Sequence, residues 1–233
     1  MLLLAFETSA KAGSVALYRD GCLLAEAYEN TGLTHSQTLM TMAEAMLKNS
    51  GFTPQQVEAV AVAAGPGSFT GVRIGVAAAK GFAWGGELPC YGVSTLEAMA
   101  LGFGTWEGTV VCVMDARRNQ VYNALFSARD GHLTRLCEDR AISLEELAEA
   151  LEKIPGPLYL VGDGSRVCYN ALSRQLARLV MPPEHRMHQR AAGVALAAAK
   201  KIAAGENGDG AALEPNYLRL SQAERERLEK EKK

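Results

Sequence analysis

The 233-residue sequence predicts an α/β protein of two lobes, each built in the order strand-strand-strand-helix-strand-helix. Three observations carry this. Short continuous apolar runs, such as 2–6 and 109–114, have the pattern of strands buried on both faces and alternate with stretches of helical periodicity. Asp20-Gly21 and Asp130-Gly131 each join two strand-like runs and mark hairpins. Two landmarks recur in register: an acid closing the first strand of each half (Glu7, Asp115), and a Gly-x-Gly-Ser turn closing the fourth (65–68 and 162–165). Three consecutive strands followed by crossover helices predict mixed sheets.

In the first half, strand 2–6 ends at Glu7-Thr8-Ser9, an acid and two hydroxyls at a turn, and the hairpin 14–28 follows. Thr34 opens a helix with Gln37 three residues on, a capping box, and Gly51 stops it. Its apolar positions Leu39, Met40, Ala43, Met46 and Leu47 recur at helical spacing, and Met42 makes it rich in methionine. A strand at 58–64 leads into the glycine stretch 65–73, then a helix to about Trp84 carrying Gly75, Ala77, Ala78, Ala79 and Gly81. Strand 89–93 and a helix capped by Ser94 and Glu97 close the half, and residues 102–105 break the pattern. The expected division is 1–104 for the first lobe, 105–220 for the second, and 221–233 for a charged tail read as a solvated helix or disorder, with nucleic-acid contact as the alternative.

The second half repeats the order. A strand at 109–114 ends at Asp115, and a hairpin joins 121–126 to 132–137. Ser143 and Glu146 form a capping box for a helix to about Lys153, and strand 158–161 ends at Gly162-Asp163-Gly164-Ser165. A helix over 172–179 and an alanine-rich helix over 191–204 complete the chain.

Composition narrows the function. Net charge is −2, which argues against gripping nucleic acid by bulk electrostatics while leaving room for a local basic patch. The five dispersed cysteines form no Cys-x-x-Cys pair and read as buried reduced thiols of a cytosolic protein. Residues 1–6 are too short for a signal peptide and run into Glu7, and no apolar run has membrane-spanning length.

Gly65-Pro66-Gly67-Ser68-Phe69-Thr70-Gly71-Val72-Arg73 lies between a strand and a helix, where free N–H groups make a ready anion site. It reads equally as a phosphate loop or as a tight strand-to-helix turn with nothing bound. It matches neither a Walker loop nor a dinucleotide signature.

These residues resemble the actin, hexokinase and Hsp70 superfamily in their duplicated order, and along nearly the whole chain they resemble the bacterial TsaB (YeaZ) family. The likeness is carried by Glu7-Thr8-Ser9, His35-Ser36, the run from Gly65 to Gly75, Gly92-Val93-Ser94-Thr95-Leu96, Asp115-Ala116-Arg117 and Pro215-Asn216-Tyr217-Leu218-Arg219. It implies a non-catalytic, required, cytoplasmic subunit in forming N6-threonylcarbamoyladenosine at position 37 of tRNAs reading ANN codons. Such a subunit pairs with its paralogue TsaD, helps dock the ATPase TsaE, and forms a homodimer when alone. It meets tRNA through the complex and has no cofactor of its own, the complex using ATP and threonylcarbamoyl-adenylate. The resemblance also implies pairing through the first lobe, placed here on Leu39, Met42 and Met46 of the first helix and Arg73, Val76 and Lys80 of the second.

TsaD-like proteins carry a His-x-x-x-His metal pair on the first long helix; this chain has His35 and Leu39 there, so the pair is broken. His35 reads as a surface or capping residue. A nucleotide cleft with magnesium, if present, would draw on Glu7, Thr8, Ser9, Gly65, Gly67, Asp115, Arg117, Gly162 and Gly164. The rival readings are an ATPase or kinase of the same fold using Asp115, a metallopeptidase, and a stand-alone homodimeric regulator.

Overall fold

The computed structural model describes residues 1–104 and 106–219; the tail expected at 221–233 lies outside the described residues. The first half runs β1 (Leu2–Glu7), β2 (Gly13–Arg19), β3 (Cys22–Glu29), α1 (His35–Asn49), β4 (Ala59–Ala63), α2 (Phe69–Gly86), β5 (Cys90–Val93) and α3 (Thr95–Phe103). The second runs β6 (Gly108–Asp115), β7 (Gln120–Arg129), β8 (His132–Arg135), β9 (Arg140–Ser143), α4 (Leu144–Glu152), β10 (Leu158–Val161), α5 (Ser165–Leu172), β11 (Leu179–Val180), α6 (Glu184–Met187) and α7 (Ala191–Ala203).

Each half makes one mixed sheet, ordered β3-β2-β1-β4-β5 and β11-β10-β6-β7-β8, with β9 pairing to β7. β1 is antiparallel to β2 and parallel to β4, and β6 is antiparallel to β7 and parallel to β10, so the duplication extends to strand sense. It also extends further than the sequence pattern indicated: the second half, like the first, has a further parallel strand, β11 beside β10, where a helix was expected.

Alternation along β1 sets the layers. Leu2, Leu4 and Phe6 face α1 and α2, packing on Leu39, Met46, Leu47, Val72 and Val76. Leu3 and Ala5 face the other way, onto Val194, Ala195 and Ala198 of α7. In the second sheet, Val111 and Val113 face α4 and α5, while Val110, Cys112 and Met114 face Leu96, Met99 and Phe103 of α3. Each half's last helix therefore covers the other half's sheet. The division 1–104 and 105–220 is corrected accordingly, because α7 belongs structurally to the first sheet. Its start is tied there by the Ala191 N–H donating to Ser14 Oγ (2.8 Å) and by Arg190 paired with Glu26 (2.9 Å). α3 and α7 touch at Gly193, where an added Cβ would lie 2.0 Å from the Ala98 carbonyl oxygen.

Local signals were met unevenly. Ser143 and Glu146 form the reciprocal capping box of α4. Ser94 caps α3, but Glu97 pairs with Arg135 instead of returning to the cap. Thr34 makes no side-chain cap on α1. The helix expected over 172–179 lies instead at Ser165–Leu172, ahead of β11. Cys90, Cys112 and Cys168 are buried, but Cys22 is exposed, and all five cysteines are free thiols.

Candidate functional site

The two landmark acids converge on a cleft of about 540 Å³ between the lobes, lined by Ser9, Lys11, Gly67, Asp115, Arg117 and Arg219 among others. Of the nine residues expected there, Ser9, Gly67, Asp115 and Arg117 line it. Glu7 and Thr8 lie beneath it, fully buried; Gly162 and Gly164 are buried against β6; and Gly65 borders a different depression beside β5.

Glu7 closes β1 at 1% exposure. Its Oε1 accepts the Ser9 N–H (2.5 Å), while its Oε2 has no partner among the described residues. Burial pushes the Glu7 carboxyl up to about 7, against a smaller opposing effect from Ser9, and the nearby Asp163 pushes the same way. Burial also raises the Asp163 carboxyl, which accepts from Gln189 Nε2 (2.9 Å). Burial thus disfavours the charged form of both acids.

The glycine stretch packs against the end of β1. The Ser68 N–H donates to the Ser9 carbonyl (2.6 Å), and Thr8 Oγ1 donates to the Gly71 carbonyl (2.8 Å). A Cβ on Gly71 would sit 2.1 Å from the Thr8 oxygen, and one on Gly67 would sit 2.5 Å from the Ser9 oxygen. The glycines are thus required for close backbone approach, and a donor a phosphate would use is already taken. Ser68 caps α2 by accepting from the Gly71 N–H (3.3 Å). The turn-like reading, left open beside the phosphate loop, accounts for this geometry. The second half copies the design: Gly65 and Gly162 share φ = 114°, and Gly164 packs on the backbone of Met114 and Asp115 as Gly67 packs on Ser9.

Asp115 closes β6, and its neighbour Arg117 holds it. The Arg117 N–H donates to Oδ1 (2.8 Å) and the guanidinium sits 3.1 Å from Oδ2. Both carboxylate oxygens are engaged. Arg117, Arg118 and Asn119 all have positive φ (65°, 54° and 56°), a left-handed run costing on the order of 1–2 kcal/mol per residue. The Asn119 carbonyl accepts the Leu144 N–H (3.1 Å) and the Arg219 guanidinium donates to the Ala116 carbonyl, which hold the turn in place.

Sequence reasoning missed a cluster beside this cleft. Tyr217 stacks on Phe69 (ring centroids 4.6 Å apart), Arg73 lies over Phe69 (3.9 Å), and Arg73 Nε donates to the Tyr217 hydroxyl (2.7 Å). The run 215–219 carried a family signal, but nothing in it says that the chain's end returns across the sheet to meet α2. The Asn216 N–H donates to the Ala64 carbonyl (2.6 Å), and Lys80 Nζ reaches the Ala211 and Leu213 carbonyls (3.2 and 3.0 Å), which fasten that segment.

The expected partner residues on α1 and α2 need correction. Leu39, Met46 and Val76 lie in the first-lobe core and Met42 packs against it, so none of the four offers an outward side chain; Lys80 is engaged with 211–213. Arg73 is exposed. The outward face consists of Met40, Thr41 and Glu44 on α1 with Arg73, Ala77, Gly81 and Trp84 on α2; Trp84 is 88% exposed. His35, expected as a surface or capping residue, turns its Nε2 to the Ala10 carbonyl (2.8 Å) and pins α1 to the loop after β1. Among the described residues no group of three or more His, Cys, Asp or Glu is placed to hold a metal ion.

Duplicated mixed sheets with exchanged last helices and a cleft between the first-strand ends give the chain the two-lobed actin/hexokinase/Hsp70-like fold. Component A of the Acidaminococcus fermentans (R)-2-hydroxyglutaryl-CoA dehydratase shares this fold, with a TM-score of 0.52 at 14% identity over 87% of this chain and 99% of that one. A Pseudomonas aeruginosa crystal structure described as similar to the peptidase YeaZ superposes with a TM-score of 0.76 at 26% identity, covering 94% of this chain and 99% of that chain. The family model for TsaD, tRNA N6-adenosine threonylcarbamoyltransferase, matches residues 29–227. The Bacillus subtilis tRNA threonylcarbamoyladenosine biosynthesis protein TsaB is 32% identical over the full length of both chains. The chain belongs to the TsaB (YeaZ) family, within the wider family that the TsaD model describes, and its role lies in tRNA threonylcarbamoyladenosine biosynthesis. Among the described residues no helix is long and apolar enough to cross a membrane.

Proposed function

We propose that this chain is a non-catalytic, required subunit that holds TsaD in a productive arrangement and helps dock TsaE. Modification would then fall on tRNAs reading ANN codons, in the cytoplasm. The observation that carries this reading is the outward stripe Ala77-Gly81-Gly85 on α2. All three are exposed, and a Cβ on Gly81 or Gly85 would meet nothing within 4 Å. A glycine inside a helix costs roughly 0.5–1 kcal/mol against alanine, and here no contact within the chain requires it. Bare backbone flanked by Trp84 and Met40 suits a second helix pair approaching closely. The same face would serve a homodimer when TsaD is absent. The accessory reading is further supported by Asp115, whose carboxylate is bound to Arg117 instead of standing open for a hydrated metal.

The test mixes the purified chain with its TsaD and reads complex mass by light scattering. Gly81→Leu should hold or modestly raise the thermal melt, since it relieves a helical glycine, and should abolish the heterodimer. A Gly81→Leu protein that pairs as well as the wild type would remove this face from the interface. Undiminished tRNA modification in a reconstituted system lacking the chain would refute the requirement itself.

A further inference from the structure

The basic mouth of the inter-lobe cleft has no role in the scaffolding just described. On a chain of net charge −2, Lys11, Arg117 and Arg219 line one cleft, Arg118 follows on the same left-handed turn, and Arg73 joins through its bond to Tyr217. The cations come from both lobes: Lys11 from the β1–β2 connection, Arg117 and Arg118 from the β6–β7 connection, Arg219 from the returning end of the chain. Of the acids that would oppose them, Asp115 is paired with Arg117, and burial disfavours the charged form of Asp163. The cleft wall also carries aromatic surface, the Phe69–Tyr217 stack and Tyr122, with Tyr217 40% exposed.

We propose that this cleft mouth contacts single-stranded RNA directly, Lys11, Arg118 and Arg219 taking backbone phosphates and the Tyr217 ring stacking a base. Cations interleaved with an exposed aromatic suit a strand that alternates phosphates with flat bases, where an acidic peptide would use the cations alone. The choice of RNA rests on the family's role in tRNA modification. The site itself does not rest on the TsaD-binding reading, since it lies in the cleft and not on the outward α1–α2 face. Nor does it call for a metal, because Arg117 already supplies the positive charge beside Asp115.

The probe is a fluorescently labelled anticodon stem-loop RNA, titrated with the purified full chain across a salt series and read by anisotropy. Wild type should bind with a steep salt dependence. Lys11→Gln with Arg118→Gln, both at exposed positions, should lower the slope of log affinity against log salt by about 0.7 per lost phosphate contact, about 1.4 together. Tyr217→Ala should weaken binding about tenfold at constant slope. Absence of wild-type binding, an unchanged slope in the double variant, or full displacement of the RNA by equimolar ADP would each overturn the proposal. Light scattering with TsaD separates this from the scaffolding reading: the double variant should still form the heterodimer, and losing both properties would count against a distinct RNA site.

Discussion

Replacing Glu7 by glutamine removes the one acid that burial holds most firmly protonated. Its carboxyl sits at about 7 in the folded chain against an ordinary 4.5, because it lies in the protein interior and accepts only from Ser9 while Asp163 stands nearby. The unfolded chain releases this proton at the ordinary value, so between about pH 4.5 and about pH 7 the folded state binds more protons than the unfolded one. Stability therefore falls as pH rises through that window. Carried from 4.5 to about 7 at ~1.4 kcal/mol per pH unit, the full penalty is about 3.5 kcal/mol, present above pH ~7 and absent below pH ~4.5. Glutamine carries no such penalty and keeps an oxygen for the Ser9 N–H. Urea unfolding of wild type and Glu7→Gln, followed by circular dichroism at about pH 5 and about pH 8, checks this. The variant should gain on the wild type by about 2–3 kcal/mol between the two conditions, with unchanged m-values. Parallel stability curves across pH would show that Glu7 ionises freely in the folded state, and the account of the cleft floor would be wrong.

Other perturbations follow from the packing. Gly71→Ala places a methyl 2.1 Å from the Thr8 oxygen and must part α2 from β1; calorimetry should show a loss of about 1–3 kcal/mol. Met46→Glu buries a charge at a position only 6% exposed and should abolish the cooperative melt, whereas Met40→Glu, at 43% exposure, should stay within about 0.5 kcal/mol of wild type. Ser143→Ala removes the α4 cap and should cost about 1 kcal/mol in chemical denaturation.

What the sequence made legible is whatever depends on short-range pattern. The hairpins at Asp20-Gly21 and Asp130-Gly131, the apolar first strands and the paired glycine turns are local, and they sufficed for the duplicated two-lobed fold. The exchange of α3 and α7 between sheets was not legible, because an alanine-rich helix shows which face it buries but not against which sheet. Periodicity likewise marked Leu39, Met46 and Val76 as one side of each helix without saying that this side is the core. The helix expected over 172–179 arose because Cys168, Leu172, Leu176 and Leu179 keep a helical spacing past the end of α5 while all serving one core. The aromatic–arginine cluster joins residues over a hundred positions apart, Arg73 and Tyr217, and no window on the sequence reaches that far.

The two halves build the same corner, an acid at the end of a first strand beside a glycine turn, and quench it in different ways. In the first, the chain seals Glu7 under Ser9 and fills the turn with its own backbone, so burial itself keeps the acid from charging. In the second, Asp115 stays at the cleft surface and is answered by Arg117, at the expense of three consecutive left-handed residues. The strained turn is informative because a solvated loop would relax it; here Leu144 and Arg219 hold it with the arginines facing out. The result reverses the polarity of the cleft. Burial disfavours charge on the floor, Asp115 is answered by Arg117, and the rim keeps Lys11, Arg118 and Arg219. A cleft arranged this way should favour anions over cations, and the RNA titration across a salt series is the direct check of that preference.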